Sequence, residues 1–222
     1  MSSKIWFITG SDTQVGKTFL TLMLANHLER RSRPFLAVKP FCSGDRSDAE
    51  LIHEAQHGRI DLNGINPWHF HQPLTPGLAG LREGRQVTLR QSLEFLHRTS
   101  RGTPRLLIEG AGGLLSPLGR GGFSALELIV RLDAIPLVVC PNRLGAINQS
   151  RLVFSALPDK SARHGHLILM DPAEQDESTS SNALVLAEHL TPGRIHRLPW
   201  NPDGPAASPS RPVQRILERL LA

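Results

Sequence analysis

The run Ile135–Cys140, reading Ile-Pro-Leu-Val-Val-Cys, constrains this chain more than any other stretch. It is short, nearly all apolar and rich in branched residues, as a strand covered on both faces at the centre of a parallel sheet should be. Parallel neighbours require crossover connections, and these are usually helices. The rest of the sequence supplies both. Ile5–Thr9, Phe35–Val38, Arg105–Ile108, Leu167–Met170 and Ile195–Leu198 read as further strands, the last at an edge. Between them lie helix-like segments. Lys17–Arg31 carries Leu20, Leu24 and Leu28 every four residues; others run from Ser47 to about His57, over Leu89–Arg98, from Ser124 to about Leu132, from after Gly145 to about Leu157 and over Ser180–Leu190. Ser210 and Pro212 open a last helix, with proline at an early position where its missing N–H costs little. Ser47-Asp-Ala-Glu50 and Ser124-Ala-Leu-Glu127 have capping-box spacing. Gly58–Gly84, rich in Pro, Gly, His and Asn, reads as a long irregular connection. The alternation predicts one α/β domain over residues 1–222, in three layers, with a mostly parallel central sheet flanked by helices.

Several function classes are disfavoured. No apolar run approaches the roughly 20 residues needed to span a bilayer. The chain enters its first strand at Ile5 without a basic region or a small-residue cleavage site, so a signal peptide is not expected. Two cysteines in 222 residues do not make a disulfide framework. A soluble cytoplasmic domain, with no membrane partner, is the expectation. The formal net charge of +5 is spread along the chain apart from Arg30, Arg31 and Arg33. With no Tyr and 5% aromatic residues there is no stacking platform for RNA, and a nucleic-acid partner is not expected.

The chemistry gathers where strands end. Gly10-Ser-Asp-Thr-Gln-Val-Gly16-Lys17-Thr18 joins the first strand to the first helix, where backbone N–H groups and the positive helix end suit a polyphosphate. The usual spacing puts the first glycine at position 11, which is Ser11, so the loop carries one extra residue. Lys17, exposed to that site, is placed to reach β- and γ-phosphates, and the Thr18 hydroxyl to bind Mg²⁺. A nucleoside triphosphate site follows. Lys39-Pro40 with Ser43-Gly44 comes after the second strand and offers a second cation. Asp48, at the next helix start, and Glu109, at the end of the third strand, add two carboxylates to Thr18, an oxygen set that suits Mg²⁺. Glycines 110, 112 and 113 permit close backbone approach. His69 with His71, and His164 with His166, lack a third ligand for zinc. Cys42 reads as a packing residue that alkylating reagents can reach when nucleotide is absent, and Cys140 as buried.

These residues resemble the dethiobiotin synthetase family. The carrying motifs are Thr9-Gly-Ser-Asp-Thr-Gln-Val-Gly-Lys-Thr18, Lys39-Pro-Phe-Cys-Ser-Gly44, Ser47-Asp-Ala49, Glu109-Gly-Ala-Gly-Gly113, Leu144-Gly-Ala-Ile-Asn148 and Leu198-Pro-Trp200. Asn66-Pro-Trp-His-Phe70 and Pro73-Leu-Thr-Pro76 match the family's substrate-side loop. The likeness runs from residue 4 to about 205. It implies a P-loop NTPase-like fold and a homodimer with the substrate site at its interface. It further implies an ATP-dependent ligase acting on 7,8-diaminononanoate and CO₂ or bicarbonate, with Mg²⁺, that closes a ureido ring through a carbamate and a carbamic-phosphoric anhydride.

The resemblance also implies roles. Lys17 and Lys39 are catalytic. Thr13, Gln14, Val15, Gly16, Lys17, Thr18, Phe19, Asp48, Glu109, Gly110, Ala111, Gly112, Asp171, Pro199, Trp200 and Asn201 bind nucleotide. Thr13, Ser43, Pro76, Leu144, Gly145, Ala146 and Asn148 bind substrate, and Thr18, Asp48 and Glu109 hold the metal. This chain departs from the family in three places. Met170-Asp171 stands where the family carries Asn-Asp, whose Asn reads adenine, which leaves CTP or another triphosphate open. The Gly44–Asp48 loop is short. No Tyr is present near the substrate carboxylate, where Asn182 falls closest. A nucleotide-binding regulatory module of the same fold, or a related P-loop ligase with another amine substrate, remain the alternative readings.

Overall fold

A computed structural model describes residues 3–191 and 193–222. In chain order the elements are β1 (Lys4–Gly10), α1 (Lys17–Arg30), β2 (Leu36–Val38), β3 (Phe41–Ser43), α2 (Ser47–Ala55), α3 (Leu62–Ile65), β4 (Trp68–Phe70), α4 (Pro76–Arg82) and α5 (Leu89–Arg101). Then follow β5 (Arg105–Glu109), α6 (Ala125–Leu132), β6 (Ile135–Pro141), α7 (Ala146–Ala156), α8 (Asp159–His164), β7 (His166–Met170), α9 (Glu177–Ala187), β8 (Ile195–Leu198) and α10 (Arg211–Leu221).

Six strands form the central sheet in the order β2-β5-β1-β6-β7-β8, and every pair is parallel. The sheet is therefore wholly parallel. β6 lies inside it, as its apolar sequence requires. Successive side chains of a strand face opposite ways, and the core divides accordingly. Val138 and Cys140 pack with Phe7, Leu106, Ile108 and Leu128 of α6. Leu137 and Val139 pack with Trp6, Ile8 and Leu107 beneath α1 and α10. Leu20, Leu24 and Leu28 of α1 are fully buried there, each stabilising the fold by roughly 1.5–3 kcal/mol on the area scale. Because all strands run the same way, Gly10, Glu109, Pro141, Met170 and Leu198 come out at one edge.

Local structure corrects some sequence expectations. The capping box at Ser124 forms: Ser124 Oγ accepts from the Leu126 amide at 3.2 Å, and Glu127 Oε2 accepts from the Ser124 amide at 2.8 Å. At Ser47 it does not. The helix begins one residue earlier, capped from Arg46, and the Ser47 hydroxyl turns back to donate to Asp45 Oδ1 at 2.6 Å. Gly58–Gly84 is not irregular, because it contains α3, β4 and α4, and β4 pairs with β3 in a second, two-stranded parallel sheet. Three- and four-residue elements show no readable period, which is why this region resembles loop. The helix expected over Ser180–Leu190 starts at Glu177, where Asp176 caps it through Thr179. No helix among the described residues is long and apolar enough to cross a membrane.

Candidate active site

The phosphate loop leaves β1 at Gly10 and enters α1 at Lys17. Its last residue, Gly16, has φ 99°, a conformation that favours glycine, and the Met170 side chain lies over it where any Cβ would point. Val15 turns inward and packs in the core, so only its backbone can serve a ligand. Lys17 is buried from solvent yet faces the site, and its ammonium donates to the Asp12 carbonyl at 2.7 Å. Burial, reinforced by the charge of Lys39, pushes its pKa down to about 8.

Three buried or half-buried charges meet beside it. Glu109, at the end of β5, is completely buried. Lys39 follows β2 and is 5% exposed; its Nζ lies 2.5 Å from Glu109 Oε1 and 2.9 Å from Asp48 Oδ2. The Thr18 hydroxyl donates to the same Glu109 oxygen at 2.7 Å. Burial alone pulls the Lys39 pKa down, but the two carboxylates outweigh it and hold the ammonium well above the usual lysine range. Asp48 shows the converse: burial favours its neutral form, and Lys39 outweighs that and keeps the carboxyl below its ordinary value.

Lys17, Thr18, Lys39 and Asp48 open onto a cavity of about 790 Å³, and Glu109 lies buried behind them. Thr13, Gln14, Gly16, Lys17, Thr18 and Phe19 line one side; Lys39, Cys42, Ser43 and Asp48 form the floor; Pro73–Pro76, Ala111 and Gly112 close the rim. Gly112, at φ 71°, lets the chain fold against Ser116, whose Oγ would lie 2.5 Å from any Cβ there. Two buried polar atoms here lack a partner among the described residues: Ser43 Oγ, on a residue lining the cavity, and Glu109 Oε2, on the carboxylate behind Lys39 and Thr18. Buried polar groups are almost always satisfied, so both point to a ligand. Glu109 Oε2 together with the Asp48 carboxyl and the Thr18 hydroxyl is a set of hard oxygens of the kind Mg²⁺ takes alongside phosphate and water.

The structure brings together most, not all, of the residues singled out from the sequence. Gly110 donates to the Ile8 carbonyl at 2.8 Å and holds the turn after β5. Asp171 sits at the end of β7, held by Asn142 at 2.6 Å and Arg197 at 2.9 Å. Pro199, Trp200 and Asn201 follow β8, with Trp200 59% exposed. Leu144, Gly145, Ala146 and Asn148 start α7. None of these last eight lines the 790 Å³ cavity, although they share its edge of the sheet, and neither do Val15, Glu109 or Gly110. Asn182 is buried and bonded to Asn142 Oδ1 and the Arg143 carbonyl, which makes it a brace for the β6–α7 turn. Cys42 is buried, and burial pushes its thiol up to about 12, so the expected reactivity toward alkylation is corrected to that of an inert packing group. Sequence reasoning gave no role to Arg46, nor one to Asn66 beyond its place in a motif. Only an Asn before a Pro, in a stretch without period, marked the latter.

A parallel sheet with a glycine-rich loop cradling the start of α1, two lysines and two carboxylates at its carboxyl edge defines a nucleoside triphosphate-binding α/β domain. Comparisons agree. Residues 4–207 match the model of an AAA domain family. The fold is shared with the ParA family ATPase from Chlorobium tepidum TLS, at TM-score 0.60 and 14% identity over 100% of this chain and 98% of that one. It is also shared with the hydrogenase maturation factor HypB from Archaeoglobus fulgidus, at TM-score 0.54 and 14% identity over 99% and 91%. Sequence relatives are more specific. The ATP-dependent dethiobiotin synthetase BioD of Anaeromyxobacter dehalogenans strain 2CP-C is 34% identical over 202 residues, covering 89% of this chain and 90% of that protein. That of Bacillus subtilis strain 168 is 31% identical over 183 residues, 79% of each. The chain belongs to the ATP-dependent dethiobiotin synthetase family, whose members are carbon–nitrogen bond-forming ligases.

Proposed function

We propose that this protein is a soluble cytoplasmic ligase that converts 7,8-diaminononanoate, CO₂ and ATP to dethiobiotin, ADP and phosphate. The observation that carries the reading is the convergence of Lys17, Lys39, Thr18, Asp48 and the unpartnered Ser43 hydroxyl on one cavity, with Glu109 buried behind Lys39 and Thr18. One substrate amine adds to CO₂ as a carbamate, which is too electron-rich to be attacked. Transfer of the γ-phosphoryl group to a carbamate oxygen gives a carbamic-phosphoric anhydride with phosphate as leaving group. The neighbouring amine then attacks the carbonyl carbon, closes the ureido ring and expels phosphate.

In this scheme the amides of residues 13–16 and the start of α1 cradle the phosphates, Lys17 and Lys39 neutralise charge that spreads over the transferring oxygens, and Ser43 holds the carbamate. Thr18, Asp48 and Glu109 fit Mg²⁺, which supplies further neutralisation of phosphate charge when bound. Gln14 and Phe19 flank the phosphates. Gly110, Ala111 and Gly112 form the backbone wall beyond Glu109, while Asp171 and Pro199–Asn201 form the base side. Met170, packed over Gly16, offers the base no hydrogen-bonding side chain, so discrimination between ATP, CTP and GTP has to come from other groups.

The substrate's distal carboxylate fits the amides at the start of α7, where Leu144, Gly145, Ala146 and Asn148 lie, in a second copy of the chain. Pro76 and Thr13 border the substrate in its own copy. A dimer through α7 and α9 is supported by exposed apolar side chains there: Leu144, Leu152 and Leu184 are each more than 60% accessible. The test is phosphate release with Mg²⁺ and bicarbonate, comparing ATP, CTP and GTP with and without 7,8-diaminononanoate, and mass spectrometry of the product. Diamine-dependent release of a cyclic urea is the expected result. Nucleotide binding without any release would leave a regulatory module of this fold.

A further inference from the structure

Lys39 and Asp48 come from separate elements, yet their charged groups are held 2.9 Å apart. On the chain opposite, between Ile65 and Trp68, the residue in register to donate to the Lys39 carbonyl is Pro67, which has no N–H, so the ladder of backbone bonds is interrupted there. The gap is bridged by a side chain. Asn66 is completely buried, and its Nδ2 donates to the Lys39 carbonyl at 2.8 Å. On either side of that rung, the Lys39 amide donates to the Ile65 carbonyl at 3.2 Å and the Trp68 amide donates to the Pro40 carbonyl at 3.1 Å. The Asn66 amide thus stands in for a missing rung where the chain passes from Lys39 into β3.

The other end of Asn66 is held by Arg46. Arg46 Nε donates to Asn66 Oδ1 at 2.8 Å, and its Nη2 donates to the Asn66 carbonyl at 2.6 Å and to Asn63 Oδ1 at 2.8 Å. These partners fix which way the Asn66 amide faces, since a guanidinium only donates and a carbonyl only accepts. Arg46 is also the residue from which α2 starts, two positions before Asp48. The contacts form a closed circuit: Lys39 backbone, Asn66 side chain, Arg46 side chain, the first turn of α2, Asp48, and back to the Lys39 ammonium.

We propose that Asn66 and Arg46 are positioning residues that set the Lys39 ammonium and the Asp48 carboxylate in register for phosphoryl transfer. Neither touches the reacting atoms. The inference rests on the ligase reading above for its consequence in catalysis, and on the circuit alone for its consequence in geometry. A loosened circuit displaces a charge that acts only as the transition state forms, and displacements of about 1 Å cost up to about 100-fold in rate. Nucleotide binding, carried by the phosphate loop, stays as it is.

Two readouts separate this from a stabilising role. The first is steady-state kinetics of the full-length protein with ATP and 7,8-diaminononanoate. Asn66→Ala is expected to lower kcat about 30- to 100-fold while KM for ATP moves less than about twofold. Asn66→Asp keeps an acceptor for Arg46 but sets an oxygen against the Lys39 carbonyl, so kcat falls even where thermal stability is retained. Arg46→Lys keeps the charge without the fork and is expected to fall between wild type and Arg46→Gln. The second readout needs no turnover: acetylation of Lys39 by an N-hydroxysuccinimide ester, followed by mass spectrometry. Buried and paired, Lys39 is protected in the wild type; in the Arg46 and Asn66 variants its labelling is expected to rise severalfold relative to exposed Lys160.

Variants that lose stability while keeping wild-type kcat and Lys39 protection would overturn the proposal. If Asn66→Ala does not fold, the partly exposed Arg46 carries the same test through Arg46→Lys and Arg46→Gln. A wild-type protein without ligase turnover defeats the functional reading alone, because the labelling still decides whether the circuit holds Lys39.

Discussion

Two regions of this molecule bury ionisable groups, and they treat them in opposite ways. At the carboxyl edge of the sheet, Lys39 and Glu109 are almost inaccessible and form an ion pair at 2.5 Å. At the opposite ends of β7 and β8, His166 and His196 are also buried, stacked with ring centroids 5.1 Å apart, and have no carboxylate partner among the described residues. Their nearest charges are cations. Burial, with Arg194 and the neighbouring imidazole adding to it, pushes His166 down to about 3; burial with Arg219 and Arg194 pushes His196 down to about 4. Arg194 can only donate, so His166 Nε2 accepts from it at 2.7 Å and His166 Nδ1–H donates to His196 Nε2 at 2.9 Å. Desolvation is a cost in both places. It decides the protonation state only where no opposite charge answers it.

The largest test of that contrast lies on the ionic side. Lys17→Ala is expected to reduce turnover by about 10³-fold through lost charge stabilisation. Its thermal midpoint should stay near that of the wild type, since the side chain's one bond is to its own loop at Asp12. Near-normal turnover by the variant would remove Lys17 from the chemistry. Next comes Glu109→Ala, which leaves the Lys39 ammonium buried against Asp48 alone. Breaking a buried pair from one side costs about 3–5 kcal/mol, readable by urea unfolding. A cost below about 1 kcal/mol would mean that water reaches Lys39 and that the two regions do not differ as described.

Smaller effects are expected on the imidazole side, and their sign is fixed. His166 and His196 have folded pKa values below the unfolded histidine value of about 6.5, so each takes up a proton on unfolding anywhere between those limits. Stability is therefore fully present above about pH 6.5 and is lost as pH falls toward about 4 and then about 3. His27, buried between α1 and α10 and also lowered by burial, adds to the same slope. A His166→Phe and His196→Phe double variant should flatten the decline in urea midpoint between pH 6.5 and 4. An unchanged slope would assign it to His27 or elsewhere. The smallest effect concerns Cys42, which shares the floor of the charged cavity: with the thiol held near 12, iodoacetamide at neutral pH should modify it far more slowly in the native than in the unfolded protein. Equal rates would show that the floor is open to solvent.

How much of this was readable beforehand follows from range. The wholly apolar β6, the leucine stripe of α1 and the capping box at Ser124 are local patterns, and each forms as its residues require. The phosphate loop, Lys39 and Glu109 were legible as separate signals because each lies at or just after a strand end, and Asp48 because it opens a helix; parallel strands deliver their ends to one edge. Elements too short to carry a period, β3, β4, α3 and α8, were not legible. Neither was the Asn66–Arg46 circuit, whose members gain meaning only when β3 and β4 lie side by side.

What the sequence determined by itself is therefore the layered parallel architecture and the kinds of group placed at its carboxyl edge, because hydrophobic periodicity and turn chemistry act over a few residues. Tertiary structure alone decided which of those groups share one cavity, that Lys17 is buried, that Cys42 is inert, and that one buried pair is ionic while another stays neutral. Those outcomes depend on distances of 3 Å between residues tens of positions apart, and on whether an opposite charge is there to offset the loss of water.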